Sequence, residues 1–448
     1  MCIHPRDRNY VADKTKIKLR EEAYIEMNIE NGIRQGCTAS TVFFKLITYK
    51  IIEELEKKCK GVMYGHKEIM CLFFADDGIL ISDNVNDARQ QILILNEVIG
   101  KYGLMINKKK SKCMIYNMKD KPEEIEEIEV VNSIKYLGVF IQDSMDIFGK
   151  QREKLIGQAK KLGNFSYSII MKSCHKVLIG KTYWKIIALP SILYGAELVT
   201  LSMKDIEKMQ RVENGVLRVI LNAPSYACIA GMQGEIGIST MRSRIARMKI
   251  QYVRMIKQGN KLILKDMWSN MLTRNNKFSK DIQKYLSWAE IEDVKMRIAK
   301  VVEKEWREEI IKKSTLKIYR ENKLKMQQVN HYTNHPSSAI WFRAKTNCMM
   351  LNDRNRFKKT NNEVECKLCG GEKEDLLHFI LECGTLNEER IKSIVLQRPW
   401  NEEREKILGI FLFHDEEIGR KKEILYNMWL KRKRILKHMA EVGSLMDK

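Results

Sequence analysis

Leu72-Phe73-Phe74-Ala75-Asp76-Asp77-Gly78 is the stretch whose reading decides the fold of this chain. Two carboxylates stand side by side between apolar runs, Met70 to Phe74 before them and Ile79 to Ile81 after. An apolar run, a short polar break ending in glycine and a second apolar run is the pattern of a β-hairpin. Two like charges on its tip repel unless a cation or a proton sits between the oxygens. A rigid tip carrying two hard oxygen ligands suits a divalent metal, above all Mg²⁺ bound together with substrate phosphates. Taken alone, the same residues also read as an ordinary surface turn, so the surroundings decide.

Upstream, Asn31-Gly32-Ile33-Arg34-Gln35-Gly36-Cys37 leads into a helical pattern with Val42, Phe43, Leu46, Ile47, Ile51, Ile52 and Leu55 at three- and four-residue spacing. Thr38 or Ser40 can cap that helix, and Lys57, Lys58 and Lys60 suit its end. Downstream, a second amphipathic helix is expected from Asn86 to Tyr102, with Ile92, Leu95, Ile99 and Tyr102 inward and Gly103 as its stop. Leu104 to Asn107 then reads as a short strand running into Lys108-Lys109-Lys110-Ser111-Lys112. Lys135-Tyr136-Leu137-Gly138-Val139-Phe140-Ile141 reads as an apolar strand.

In that order, GIRQGC, FADD, GLMINKKKSK and KYLGVFI resemble the second half of the palm of a reverse transcriptase, more narrowly that of LINE-type (non-LTR) retrotransposons. The resemblance implies roles. Arg34, Gln35 and Gly36 would bind substrate, with Gln35 and Gly36 against the template–nucleotide base pair. Asp76 would ligate the catalytic Mg²⁺ ions with Asp77 as companion. Lys110 would steady or protonate the leaving pyrophosphate, and Tyr136, Leu137 and Gly138 would form the primer grip. Partners would be an RNA template and a DNA target or primer. The family also carries an essential Asp in an F-x-D pattern on an earlier strand. Nothing before Gln35 matches it, since Asp7 and Asp13 lie in polar contexts. The fingers are missing too, so the expectation is an N-terminally truncated polymerase with little or no activity alone. Relatives follow the Gln-Gly pair with prolines, whereas this chain has Cys37-Thr38-Ala39-Ser40-Thr41.

Composition agrees with a polyanionic partner: 80 Lys and Arg against 57 Asp and Glu give a net charge of +23 over 448 residues. Each neutralised phosphate would make binding fall with salt at a log–log slope of roughly −0.7 to −0.9. Six prolines among many Leu, Ile, Met and Lys residues point to a mostly helical α+β chain. No apolar run is long enough to span a membrane. The start is not a secretory signal, and eleven irregularly spaced cysteines suit a reducing compartment.

The expected domains are an irregular remnant (1–20), a partial palm of antiparallel sheet plus helices (21–150), a helical thumb (151–260), a helical linker (261–340), a zinc-knuckle region (341–395) and basic C-terminal helices (396–448). In the thumb, Trp184, Ile187, Leu193, Tyr194 and Leu198 are apolar anchors, and Ser202 caps a helix carrying Met209, Val212, Val216, Val219 and Ile220. Arg244, Arg247, Arg254 and Lys257 gather on one helix face and could follow a phosphate backbone, or be plain solvated charge.

Cys366-x2-Cys369-x8-His378-x4-Cys383 is the second sharp signal. Three thiolates and an imidazole make a closed, structural Zn²⁺ site. So short a module has little core, and zinc contributes about 10–16 kcal/mol to comparable finger peptides. It resembles the C-terminal zinc knuckle of LINE-type proteins. Trp341, Arg343, Arg354, Arg356 and Phe357 just before it mix aromatic and basic residues, as single-strand binders do, though Trp341 and Phe357 equally suit a core. Lys431-Arg432-Lys433-Arg434 with Lys437 reads as a nuclear-localisation patch, a phosphate contact or a basic helix end. Three functions stay open: the C-terminal part of a polymerase for target-primed reverse transcription, a non-catalytic nucleic-acid-binding remnant, and a zinc-stabilised interaction protein. Oligomeric state is not legible.

Overall fold

A computed structural model describes residues 14–20, 23–28, 38–65, 67–259, 262–274, 277–289, 293–357, 363–397 and 402–446. The chain divides into two compact units, one of residues 1–150 and 261–270, the other of 151–260 and 271–448. No described helix is long and apolar enough to cross a membrane.

The first unit begins with β1 (Lys14–Arg20) and β2 (Ala23–Asn28), an antiparallel pair. Residues 14–20 are therefore regular, against the expectation of an irregular remnant. Thr15, Ile17 and Leu19 alternate with lysines, the period of a half-buried strand. Then come α1 (Thr38–Lys58), β3 (Val62–Tyr64), β4 (Lys67–Ile69), β5 (Cys71–Phe74), β6 (Asp77–Leu80) and α2 (Val85–Gly100). The short pairs β7 (Glu124–Ile125) with β8 (Ile128–Glu129), and β9 (Ser133–Tyr136) with β10 (Val139–Gln142), complete it. All described strands form two-stranded antiparallel hairpins rather than one continuous sheet.

One core joins the inner faces of α1 and α2 to the β5–β6 hairpin: Ile51, Leu55, Met70, Val98 and Ile99, with Cys71 and Phe73 against them. Only the C-terminal half of the α1 stripe is buried, and Val42 and Leu46 are exposed. Asn84 caps α2 through its side chain to the Asp87 N–H. Buried Gln91 of α2 donates to the carbonyls of Lys60 and Ile81, tying both ends of the β3–β6 segment to the helix. Leu104 to Asn107, read above as a strand, joins no ladder.

The second unit is helical: α3 (Gly149–Lys172, starting at the boundary), α4 (Lys176–Thr182), α5 (Leu189–Leu193), α6 (Met203–Leu221), α7 (Ile229–Ile236), α8 (Met241–Gln258), α9 (Leu262–Thr273, crossing the boundary), α10 (Lys277–Gln283), α11 (Leu286–Ala289), α12 (Val294–Ile311), α13 (Lys317–Asn322), α14 (Pro336–Lys345), α15 (Asn387–Arg390), α16 (Arg404–Phe413) and α17 (Ile418–Met446). Ser202 forms the expected cap of α6, with Asp205 completing a capping box. Between α4 and α5 the chain takes a π turn, Tyr183–Ala188. It shifts the helical phase, so Trp184 is buried but the proposed anchors Ile187 and Tyr194 are exposed.

The stretch expected as a helical linker, 261–340, does more than connect. Trp306 and Ile310 of α12 and Leu316 and Tyr319 pack on Ala230 of α7. The Trp306 indole N–H donates to the Ala230 carbonyl at 2.8 Å. The basic run 431–437 lies in the middle of α17, not at a helix end. Arg432 is buried and paired to Glu374, and Lys431 pairs with Glu388, so these two are not available as free basic residues, while Lys433, Arg434 and Lys437 are exposed.

Candidate functional sites

In the first unit, Phe74 pairs with Asp77 across the hairpin, leaving Ala75 and Asp76 as the two turn residues. Two-residue hairpins need positive φ at the first turn position to match strand twist. Here alanine supplies it, at φ 53°. A residue with a Cβ held there is strained, and such strain persists only where surroundings fix it. The core contacts of Cys71 and Phe73 do so. Asp76 and Asp77 are exposed at the tip, and among the described residues neither carboxylate has a hydrogen-bond or ion-pair partner. No third carboxylate joins them at metal-binding distance among the described residues.

Residues 135–141 are a hairpin rather than the single strand expected. Tyr136 pairs with Val139, and Leu137 and Gly138 form the turn at φ 44° and 80°. Two positive φ values in succession are the signature of a type I′ turn, which favours glycine at its second position. Burial raises the Tyr136 phenol above its ordinary range, and the Asp77 carboxylate raises it further. Tyr136 and Asp77 thus lie within electrostatic reach, and the phenol stays protonated at neutral pH.

Lys110 sits in a turn built by Asn107, whose carbonyl accepts from the N–H groups of Lys110 and Ser111 at 3.0 and 2.9 Å. Lys108 pairs with Glu127 at 2.8 Å and Lys112 with Glu129. Lys109 and Lys110 are exposed and have no carboxylate partner among the described residues. No bond joins Lys110 to the Asp76 hairpin there. Arg34, Gln35 and Gly36 lie outside the described residues.

In the second unit, the ligand atoms of Cys366, Cys369, His378 and Cys383 all lie within 4.8 Å of one another. Tetrahedral zinc sets S···S at about 3.8 Å and S···N at about 3.6 Å. Cys366 Sγ is 3.9 Å from Cys383 Sγ, and Cys369 Sγ is 3.3 Å from His378 Nε2. The set fits a closed Zn²⁺ site. His378–Glu382 is a π turn, with the Cys383 N–H donating to the His378 carbonyl at 2.8 Å. On an α-helix, residues five apart point about 140° from each other. The wider π turn reduces that angle and brings His378 and Cys383 toward the same side.

The supporting shell is built from backbone and charge. N–H groups of Leu368 and Cys369 bond the Cys366 sulfur, and those of Gly371 and Gly384 bond the Cys369 sulfur. Burial works to raise the Cys369 thiol, but these donors outweigh it and hold it below the usual range. Burial and the neighbouring cysteines push Cys383 up to about 12. A Zn²⁺ held by the four ligand atoms would keep the three sulfurs as thiolates. Asp375 caps the His378 turn at 2.9 Å. A Cβ on Gly371 would lie 2.8 Å from His378 Cε1. Gly371→Ala is therefore expected to lower zinc affinity about 10-fold or more, the scale of a displaced supporting contact, as read by competition with a chromophoric chelator.

The segment that carries the Cys/His cluster is not the isolated unit its length suggested. Glu374, fully buried, takes both guanidinium arms of Arg432 at 2.6 Å and the Asn352 N–H at 2.9 Å. Arg390 donates to the carbonyls of Ile380 and Cys383 at 2.9 and 2.7 Å. Phe379 meets Trp429 edge-on at 6.2 Å. Glu374, Arg390 and Trp429 were not singled out from sequence, and Arg432 was read only as part of a basic patch, because Glu374 and Arg432 stand 58 positions apart with no fixed spacing to join them.

Of the residues considered for nucleic acid, Trp341 has its ring fully enclosed against Phe411 and is core, not a stacking platform. Arg244 turns inward to buried Glu213 at 2.8 Å and is not part of a free basic face. Arg247 is exposed, Arg254 bonds Gln258 at 3.2 Å, and Lys257 is half-buried. Arg343 and Arg354 reach backbone carbonyls, Asn222 for the first and Met349 and Asn347 for the second. The side chains of Arg356 and Phe357 lie outside the described residues.

Residues 4–141 match the family model of the reverse transcriptase (RNA-dependent DNA polymerase). The matched span takes in both hairpins, the Lys110 turn and the α1–α2 core, and ends within β10.

Proposed function

We propose that this chain is the C-terminal part of a non-LTR, LINE-type reverse transcriptase: an RNA-directed DNA polymerase core followed by a helical thumb and a zinc-stabilised nucleic-acid-binding region. The observation that carries the reading is the strained Ala75-Asp76 hairpin, with two unneutralised carboxylates, inside the span that matches the polymerase family. Asp76 would hold Mg²⁺ with Asp77 beside it, and the ions would supply charge neutralisation for nucleotidyl transfer. Tyr136 and the Leu137-Gly138 turn would hold the primer end against that tip. Lys110, left without a carboxylate, would steady the leaving pyrophosphate. Arg34, Gln35 and Gly36 would face the base pair being formed.

Two-metal transfer needs more carboxylate than Asp76 and Asp77 offer. The chain as it stands is therefore proposed to bind template and primer without extending them. Primer extension with Mg²⁺ on a primed RNA template is expected to show no synthesis. Robust synthesis that Asp76→Ala abolishes would mean the site is complete. Failure to bind any nucleic acid would favour the zinc-stabilised interaction protein instead. A non-catalytic binding remnant is the second reading, favoured by the absence of a third carboxylate among the described residues.

A further inference from the structure

The loop after α6 meets the segment that follows α14. Arg343 Nη2 donates to the Asn222 carbonyl at 3.1 Å. The Arg354 guanidinium lies over the Tyr226 ring, 4.8 Å from its centroid, and the Tyr226 hydroxyl bonds the Cys348 carbonyl at 3.3 Å. Every acceptor given to these two arginines is a backbone carbonyl. A carbonyl is a dipole and leaves the full guanidinium charge standing. Among the described residues neither arginine has a carboxylate partner, and both keep an Nη1 without an acceptor. Tyr226 is 44 % exposed, and Met350, in the segment that follows α14, is exposed too.

We propose that Arg343, Arg354 and Tyr226 form a seat for single-stranded nucleic acid, the two guanidiniums taking a phosphodiester and the tyrosine ring stacking an unpaired base. The proposal deepens, and rests on, the nucleic-acid reading above. Planar guanidinium forks match phosphate oxygens, and an exposed ring pinned by a cation is a ready stacking surface. A duplex hides its base faces, so the seat selects single strands. RNA and DNA share this chemistry.

The test measures fluorescence anisotropy of the full chain with oligo-rU, oligo-dT and a blunt DNA duplex across a salt series. Tyr226→Leu is expected to weaken both single strands about 10-fold while leaving the duplex within about twofold, and Tyr226→Phe to keep the affinity. Arg354→Gln is expected to reduce the salt slope for single strands by about 0.7. Unfolding temperature and zinc content serve as controls for a fold left intact. Preference for oligo-rU would assign the seat to RNA, and preference for oligo-dT to DNA. Single-strand affinity unchanged in the Leu and Gln variants would overturn the seat and leave the wider reading standing. Equal losses for single strand and duplex, or a Phe variant as weak as Leu, would also overturn it. A wild-type chain that binds none of the three would overturn both.

Discussion

Chelation is expected to release about one zinc per chain and to lower the unfolding temperature of the second unit by about 10 °C or more. Zinc binding contributes about 10–16 kcal/mol to peptides that have no core of their own. Here part of that is replaced by packing, because Phe379, Ile380 and Leu381 are buried and Glu374 is locked to Arg432. A remaining loss of a few kcal/mol still moves a domain of this size by about 2–4 °C for each kcal/mol. Metal removal should also loosen the middle of α17, where Trp429 and Arg432 contact the module. Hydrogen exchange in residues 424–434 is the readout. Glu374→Ala should cost about 3–5 kcal/mol even with zinc bound, since it strands a buried guanidinium. Glu374→Leu combined with Arg432→Met should recover most of that loss, because a buried pair replaced by apolar groups is near neutral. A metal analysis showing no zinc, or an unfolding temperature indifferent to chelator, would remove the structural metal from the account.

What was legible in the sequence followed from local rules. The Asp76 hairpin, the α1 and α2 helices, the Ser202 cap and the Cys366–Cys383 ligand set each depend on residues a few positions apart. What was not legible depended on partners far away. The Leu137-Gly138 turn was hidden because leucine seldom takes a φ of 44°, and an apolar run reads as one strand. Residues 261–340 read as a polar, charged helical linker because the charges set between their apolar residues, Trp306 and Tyr319 among them, hide which face is buried. Each nevertheless fills a site on α7. Arg244 and Trp341 looked like ligand-facing residues because sequence gives residue type but not burial. The deciding partners, Glu213 and Phe411, lie 31 and 70 positions away.

Acid should weaken the second unit in two separate windows, and His331 sets the first. Its imidazole is pushed down to about 4 by burial, with Lys345 and Lys422 adding to the effect and Glu235 and Asp415 opposing it. The folded value lies below the ordinary 6.5, so the unfolded chain takes up the proton first as pH falls. Stability is full above about 6.5 and drains as pH drops toward 4, by at most about 3 kcal/mol at 1.36 kcal/mol for each pH unit of displacement. The second window belongs to Glu235, which is fully buried. Burial works to raise its carboxyl, but Lys345 at 2.8 Å, Lys323 at 3.8 Å and the Tyr332 hydroxyl outweigh it and hold it below the usual range. Its contribution is present above the unfolded carboxylate range and is lost only as pH falls through the lower folded value. His331→Phe separates the two. A phenyl ring can keep the tilted contact with Tyr332 and the edge-on contact with Trp341, and the Lys422 bond goes to the residue 331 backbone carbonyl, which the substitution leaves in place. The variant also removes an imidazole Nε2 that is buried without a partner. Urea midpoints of the wild-type chain should fall more steeply between pH 6.5 and 4 than those of His331→Phe, the slope left in the variant belonging to protonation of the Cys/His ligand set and of carboxylates such as Asp375. A variant that keeps the full wild-type slope above pH 4 would show that the protons are taken up elsewhere.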